Sequence, residues 1–259
     1  MFSLKGKVAL VTGGAGYLGT AISEALAQYG SKLVIASRNA EHCKRLARQL
    51  TKDYGIEARG VELDMCSHAS VIQCMEIVHN EMGSIDILIN NASSGKPSIG
   101  IEEVSDADWL NGLDGTINGV FRCTKAVIPY MKKNKYGVII NISSMYGIVS
   151  PDSRIYGDSG YNNPPDYGAG KAAIIQFTRY SACHLACDGI RVNAISPGPF
   201  PSAEVQKNKT FISNLENRVP LRRIGKPDDL KGAVVFLASD ASIYVTGQNI
   251  VVDGGWTVW

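Results

Sequence analysis

The feature that most constrains the fold is the alternation of short apolar runs with longer stretches of helical character. Seven β-branched runs have the length of strands: KVALV, KLVIAS, EARGVELD, IDILIN, GVIINIS, IRVNAIS and NIVVD. The main helix-like stretches between them are 40–54, 67–82, 107–133, 168–187 and 227–239. Continuous apolar strands separated by helices are typical of a parallel sheet covered on both faces. Because crossovers are right-handed, the pattern predicts a doubly wound α/β fold.

The chain length and the lack of linkers indicate one domain. The 259 residues are 45% hydrophobic, which suits a single large α/β domain or two small ones. No linker rich in Pro, Gly and Ser divides the chain, and no repeat is present. We therefore predict one domain over 1–259, with a seven-stranded parallel sheet and helices on both faces. Only 148–166, rich in Pro, Gly, Asn and Tyr, breaks the rhythm and predicts a long functional loop.

Charge and composition disfavour several classes of protein. The net charge is +2 without a basic tract, so no nucleic-acid partner is expected. The longest apolar runs have only strand length, and no leader segment is evident, so we expect a cytoplasmic protein without a membrane partner. The six cysteines form no CxxC pair and are expected to be reduced. The four histidines have no metal-ligand or Ser-His-Asp context, so no metal is expected.

The segment TGGAGYLG, residues 12–19, joins the first strand to a helix-like stretch. Glycines at such a turn let backbone N–H groups approach a pyrophosphate, and the helix N-terminus favours negative charge. We therefore predict a dinucleotide cradle at Gly13, Gly16 and Gly19, with Tyr17 and Leu18 at the helix start. The alternative is a tight strand–helix turn without a ligand, and for Tyr17 a simple packing role.

The end of the second strand predicts which dinucleotide binds. In dinucleotide folds an acidic residue here accepts hydrogen bonds from the ribose hydroxyls of NAD, whereas this chain has Ser37 and Arg38. A hydroxyl and a guanidinium suit a 2′-phosphate, so NADP(H) is favoured and NAD(H) is possible. The alternative for Arg38 is a solvated surface side chain. Asp64, after the third strand, is placed to accept from the adenine amino group or to cap the next helix.

Several further motifs stand in a fixed order along the chain. They are NNAS at 90–93, SSMYG at 143–147, YGAGK at 167–171, ISPGPF at 195–200 and VTGQNIVVDGG at 245–255. Together they make the chain resemble the short-chain dehydrogenases/reductases over essentially its whole length. The resemblance implies a single Rossmann-type domain and an oxidoreductase that interconverts a carbonyl and a secondary alcohol.

The resemblance also implies the reacting residues. Tyr167 and Lys171 lie four residues apart, so a helix places them on one face. A cation near a phenol lowers its pKa, which would suit Tyr167 to proton transfer. Ser144, three residues before Gly147, would polarise the substrate carbonyl. The implied cofactor contacts beyond the cradle are Ser37, Arg38, Asp64, Met65, Asn91, Ala92, Tyr167, Lys171, Pro197, Gly198, Phe200 and Ser202.

The chain departs from the family pattern at two places. Short members usually carry TGxxxGxG, which would put glycine where Tyr17 stands, whereas TGGAGYLG fits the TGxxGxxG spacing of the extended branch. The chain's length and the motifs NNAS and PGPF favour the short branch with a variant glycine turn. Thr116 occupies the position of the family's relay asparagine, and Asn118 follows two residues later. Neither is assigned a catalytic role.

The segment 148–166 lengthens the distance between two implied catalytic residues. Tyr167 follows Ser144 by 23 residues, more than is usual in the family, so this loop is expected over the cleft mouth. The alternative is a surface or subunit-contact loop. Residues 200–220, polar and without a strong core pattern, are expected to form a substrate lid. The candidate substrate contacts are Tyr146, Arg154, Tyr156, Tyr161 and Asn162.

These observations predict an NADP(H)-preferring oxidoreductase acting on a small polar substrate, with a sugar or sugar derivative as the first expectation. One alternative is a sugar-nucleotide epimerase or dehydratase that keeps its cofactor. Another is a catalytically idle scaffold that binds NADP(H). The family commonly forms tetramers, so a homotetramer or homodimer is expected, with Trp256 and Trp259 buried against a neighbouring subunit.

Overall fold

The computed structural model describes residues 1–93 and 100–259. Within them, seven parallel strands form one sheet in the order β3-β2-β1-β4-β5-β6-β7. The strands are β1 Val8–Thr12, β2 Lys32–Ser37, β3 Ala58–Glu62, β4 Ile87–Asn90, β5 Gly137–Ile142, β6 Ile190–Pro197 and β7 Asn249–Val252. The predicted doubly wound α/β fold is confirmed, and the order reverses between β1 and β4, where such folds bind ligands.

Helices cover both faces of this sheet. They are α1 Tyr17–Gln28, α2 Ala40–Tyr54, α3 His68–Met82, α4 Asp106–Leu113, α5 Gly119–Asn134, α6 Pro165–Leu185, α7 Lys209–Arg218 and α8 Lys231–Ala238. Side chains of α1, α2 and α8 share one buried cluster with the sheet. Side chains of α3, α5 and α6 share a second cluster on the opposite face. β1, β4 and β5 are buried throughout, which explains their continuous apolar sequences.

The predicted single helix over 107–133 is interrupted. Residues Asp114–Asn118 form a π-helical turn between α4 and α5. The Thr116 hydroxyl donates to the Gly112 carbonyl at 2.9 Å, which competes with regular helical pairing. The turn places Thr116 directly against Gly170 of α6, where a Cβ would lie 2.3 Å from the Thr116 hydroxyl oxygen. The irregularity therefore allows close contact with the helix that carries Tyr167 and Lys171.

The loop 148–166 and α7 pack together, and we call them the cap. A third cluster, separate from the two faces of the sheet, contains Met145, Ile155, Phe211, Leu215, Val219 and Trp256. The Tyr156 ring stacks on Phe211 at 5.8 Å between centroids. The expectation that 200–220 lacks a core pattern is therefore wrong, because α7 buries an apolar face against the loop. Trp256 is buried within its own chain, whereas Trp259 is 63% exposed.

Two further observations concern the chain as a whole. In the part of the chain that the structure describes, no helix is long and apolar enough to cross a membrane. The six cysteines are free thiols. No group of histidine, cysteine and acidic side chains among the described residues could hold a metal ion.

Candidate active site

The glycine-rich turn brings two stretches of backbone into close contact. Gly13 has a left-handed φ of 61°, a conformation that glycine adopts without strain. A Cβ on Gly19 would lie 2.0 Å from the Gly13 carbonyl oxygen, so only glycine fits there. Gly16 begins α1 without a side-chain cap, which leaves the first N–H groups of the helix available to a ligand. The turn therefore has the form of an anion cradle.

Side chains at the end of β4 hold this turn in place. The Asn91 amide donates to the carbonyls of Thr12 and Gly13 at 3.0 and 3.1 Å. The backbone N–H groups of Asn91 and Ala92 both donate to the Thr12 hydroxyl at 3.0 Å. Asn91 and Ala92, predicted as cofactor contacts, thus also fix the position of the cradle.

A groove of ≈ 320 Å³ runs along the carboxyl ends of β1, β2, β3 and β4. Its walls contain all the cofactor contacts predicted from the first 92 residues and add Leu63 and Ser93. The added residues flank predicted ones, Leu63 before Asp64 and Ser93 within the NNAS motif, and that adjacency was the signal for them. The lining residues are Gly13, Gly16, Tyr17, Leu18, Gly19, Ser37, Arg38, Leu63, Asp64, Met65, Asn91, Ala92 and Ser93.

Ser37, Arg38 and Asp64 occupy the far end of this groove. The Ser37 hydroxyl accepts from the Asn39 backbone at 3.2 Å, while Arg38 has no side-chain partner among the described residues. An unpaired guanidinium in a groove is suited to an anionic ligand. Asp64 accepts from the Cys66 N–H at 3.0 Å. The helix that follows is capped by Ser67, so the alternative of Asp64 as its N-cap is wrong.

A second cleft, of ≈ 180 Å³, contains the three predicted catalytic residues Ser144, Tyr167 and Lys171. It shares Leu18, Asn91 and Ser93 with the first, so the two form one continuous groove. Ile142 and Ser143, which were not predicted, complete its floor, and Pro197, Gly198 and Phe200 form the opposite wall. Ser202 lies outside both sets of lining residues and accepts from the Val205 N–H at 3.5 Å.

Hydrogen bonds to neighbouring backbone fix the catalytic residues. Lys171 Nζ donates to the Ile142 carbonyl at 2.9 Å and lies 5.4 Å from the centroid of the Tyr167 ring. Ser143 donates to the Lys171 carbonyl at 2.8 Å, which ties β5 to α6. The Ser144 oxygen accepts from the Tyr146 N–H at 3.1 Å and keeps its own proton available. Ser143 therefore has a structural role, and Ser144 is the serine available to a substrate.

Burial controls the ionisation of the Tyr–Lys pair. Burial raises the pKa of Tyr167, and a hydrogen bond with Ser144 offsets part of that rise. Burial lowers the pKa of Lys171 to about 8. The expected lowering of the Tyr167 pKa by Lys171 is not among these effects. In this arrangement Tyr167 is protonated at neutral pH, and Lys171 is a cation held against a carbonyl oxygen.

The cap contributes a pair of phenols to the region of Tyr167. The Tyr146 and Tyr156 hydroxyls hydrogen-bond each other, and Tyr146 is close enough to Tyr167 to feel its charge. Burial raises the pKa values of both cap tyrosines, so both remain hydrogen-bonding phenols. Tyr161 packs against Phe211 with centroids 5.0 Å apart.

The structure does not bring Arg154 to the cleft. Its side chain is 82% exposed, and its Nε and Nη2 atoms donate to the two carboxylate oxygens of Asp152, each at 2.8 Å. Asn162 instead lines a separate hollow of ≈ 290 Å³ together with Tyr156, Ser150 and Ser153.

Comparison with known proteins agrees with this geometry. The family model described as enoyl-(acyl carrier protein) reductase matches residues 14–257. The chain is 34% identical to 3-oxoacyl-[acyl-carrier-protein] reductase FabG of Aquifex aeolicus, with 97% of this chain and 98% of that protein covered. It is 35% identical to sorbose reductase SOU1 of Candida albicans, with 99% and 89% covered.

A solved structure gives the same result. The chain superposes on a gluconate 5-dehydrogenase from Burkholderia cenocepacia, solved with NADP and tartrate, with a TM-score of 0.90. The two are 32% identical, and 100% of this chain and 98% of that chain are covered. The chain therefore belongs to the short-chain dehydrogenase/reductase family of oxidoreductases, as its motifs predicted.

Proposed function

We propose that this protein is an NADP(H)-dependent reductase that converts a ketone on a neutral, sugar-like substrate into a secondary alcohol. The observation that carries the proposal is the continuous groove from Arg38, at one end, to Ser144 and Tyr167 at the other. Such a groove suits an extended dinucleotide with its reactive end beside a proton donor.

The described residues fit NADP(H). The uncapped start of α1 and the glycine turn would hold the pyrophosphate, and Arg38 would pair with the 2′-phosphate. Asp64 would accept from the adenine amino group, and Lys171 would hold the nicotinamide ribose. When bound, the nicotinamide supplies the hydride.

The protonation states favour reduction. A protonated Tyr167 can donate its proton to the oxygen of a carbonyl as that oxygen gains negative charge. The Ser144 hydroxyl, free to donate, would orient the same oxygen. Lys171, charged below a pKa of about 8, would stabilise the tyrosinate that remains. Whether Thr116 supplies a backbone carbonyl to a proton relay stays a prediction.

The charge of the site supports a neutral substrate. Lys171 is the only charged side chain among the described residues that line the catalytic cleft. Arg154, which would have suited a carboxylate, is already paired with Asp152. Tyr146 and Tyr156 offer hydroxyls, which suit a polyol. Since the relatives include both a sorbose reductase and a gluconate 5-dehydrogenase, charge distinguishes a neutral keto-sugar from a sugar acid.

Self-association is part of the proposal. A homotetramer or homodimer would cover exposed apolar side chains such as Phe121 on α5, Tyr180 on α6 and Trp259. Trp256, expected at such a contact, is instead committed to the cap cluster of its own chain. Sedimentation analysis would test this part.

The decisive experiment compares wild type, Tyr167→Phe and Arg38→Ala. We expect wild type to reduce sorbose with NADPH faster than it oxidises gluconate with NADP. Tyr167→Phe should lose about 10²- to 10⁴-fold in kcat while still binding NADPH. Arg38→Ala should weaken NADPH binding about 10- to 100-fold, because a charge-assisted hydrogen bond is lost, and leave NADH binding unchanged.

The control and the contrary outcomes are equally specific. Tyr180→Phe, on the same helix but 64% exposed, should keep full activity. Unchanged turnover in Tyr167→Phe would favour the idle scaffold. Tightly retained nucleotide without net NADPH consumption would favour the epimerase or dehydratase. A preference for gluconate would refute the neutral substrate.

A further inference from the structure

A side-chain hydrogen bond joins the glycine turn to a distant segment. Gln206 Nε2 donates to the Tyr17 hydroxyl at 3.3 Å and to the Pro201 carbonyl at 2.9 Å. Tyr17 lines the dinucleotide groove and stands where the usual family pattern has glycine. Among hydrogen bonds between described residues, this is the only one that joins 201–208 to α1.

We call residues 197–207 the strap. Its first part is fixed on the sheet, because Gly198 donates to the Val252 carbonyl and Gly225 donates to the Pro199 carbonyl, both at 2.9 Å. The Phe200 ring fills the space beside Gly225, where a Cβ would lie 2.6 Å from it. These contacts hold the strap at the wall of the catalytic cleft.

The last part of the strap reaches the other end of the groove. It ends in the 3₁₀ turn Val205–Lys207, in which the Gln206 N–H donates to the Ser202 carbonyl at 3.0 Å. Because Phe200 lines the catalytic cleft and Gln206 bonds to Tyr17, the strap extends from the reacting end to the pyrophosphate cradle. A ligand in the groove would have this segment alongside it.

We propose that Tyr17 and Gln206 form a clasp that holds the strap closed and thereby slows release of the dinucleotide. This inference rests on the proposed function. Tyr17 is then a positioning residue, because it acts through the strap. Its hydroxyl accepts from Gln206 and retains a proton to donate, and such chains of hydrogen bonds strengthen one another. The tyrosine thus has a use that glycine could not supply.

The test compares Tyr17→Phe, Gln206→Leu and the double variant. The rate of NADPH release is measured by stopped-flow displacement, and hydrogen exchange of 202–207 is measured without nucleotide. Each single variant should release NADPH about two- to tenfold faster, the effect of losing one hydrogen bond. The double variant should be no faster than the singles, because both remove the same contact. Exchange at 202–207 should rise in all three.

A matched control exists elsewhere in the chain. Gln28 Nε2 donates to the Tyr54 hydroxyl at 3.2 Å, the same chemistry outside the groove, so Gln28→Leu should change neither readout. Unchanged release and exchange in both single variants, or additive effects in the double variant, would overturn the clasp. If wild type bound no NADPH, the proposed function would fail, and the exchange data alone would then decide whether Tyr17 and Gln206 hold the strap.

Discussion

The dinucleotide cradle and the cap lie at opposite ends of one groove but are built differently. The cradle consists of backbone at the ends of buried strands, held by Asn91 and Thr12. The cap consists of side chains in a small cluster of its own around Phe211. The cradle therefore inherits its rigidity from the large core, whereas the cap depends on a few contacts. A fixed cofactor site and a more adjustable substrate site can coexist on this fold because their supports are separate.

The largest expected effect comes from Gly19→Ala. The new Cβ would lie 2.0 Å from the Gly13 carbonyl oxygen, so the turn must move. We expect a loss of about 1–3 kcal/mol in unfolding free energy and at least a tenfold weaker affinity for NADPH. Urea unfolding and calorimetric titration would measure both. Cap contacts should be unchanged.

The matched control for this variant is Gly232→Ala. A Cβ at Gly232 in α8 would meet nothing within 4 Å. This change should stabilise the protein by about 0.5–1 kcal/mol and leave NADPH binding as it is. If Gly19→Ala bound NADPH like wild type, the view of the cradle as a rigid backbone site would be wrong.

Phe211→Ala tests the independence of the cap. The side chain contacts Tyr156 and Tyr161, and removing a buried Phe costs about 3–5 kcal/mol. Because the cap cluster is separate, we expect this cost as local opening: faster hydrogen exchange over 148–166, a higher KM for substrate and unchanged NADPH affinity.

Phe121→Ala, at a residue 47% exposed on α5, is the control for size and should leave exchange over 148–166 unchanged. A uniform rise in exchange throughout the Phe211→Ala protein would show instead that cap and core unfold together.

The pH dependence of stability distinguishes the interior from the cap. Burial lowers the pKa of Lys171 from its usual 10.5 to about 8. Between these values the unfolded chain binds more protons than the folded one, so stability rises with pH in that window. Compared with Lys171→Met, wild type should gain up to about 3 kcal/mol in unfolding free energy from pH 8 to 10.5. Urea unfolding at several pH values measures this gain, and parallel curves would contradict the buried cation.

The smallest expected effect is that of Asp152→Asn in the cap. The Arg154 guanidinium holds the pKa of Asp152 at about 2, so the pair is ionised at neutral pH. Arg154 is exposed, and exposed pairs contribute little. The melting temperature should fall less than in Phe211→Ala, and high salt should shrink the difference further. A fall as large as that of Phe211→Ala would show that ion pairs, rather than the apolar cluster, hold the cap.

How far sequence reasoning succeeded also differs between the two regions. The seven strands were located to within one or two residues at most ends, because strand periodicity and length are local properties. The residues of the cradle followed from spacing alone. The cap was misjudged, since Phe211 and Leu215 have an apolar partner only once 148–166 folds over them. Arg154 was expected at the cleft, but its neighbour Asp152 satisfies it locally.

The sequence by itself determined the fold, the order of the strands' chemistry and the residues Ser144, Tyr167 and Lys171, because each depends on short-range pattern and spacing. The tertiary structure decided what distant segments do to one another. It joined Tyr17 to Gln206 and the loop 148–166 to α7, and it buried Lys171 enough to lower its pKa. Such effects depend on burial and on contacts between residues far apart in the chain, which no local pattern records.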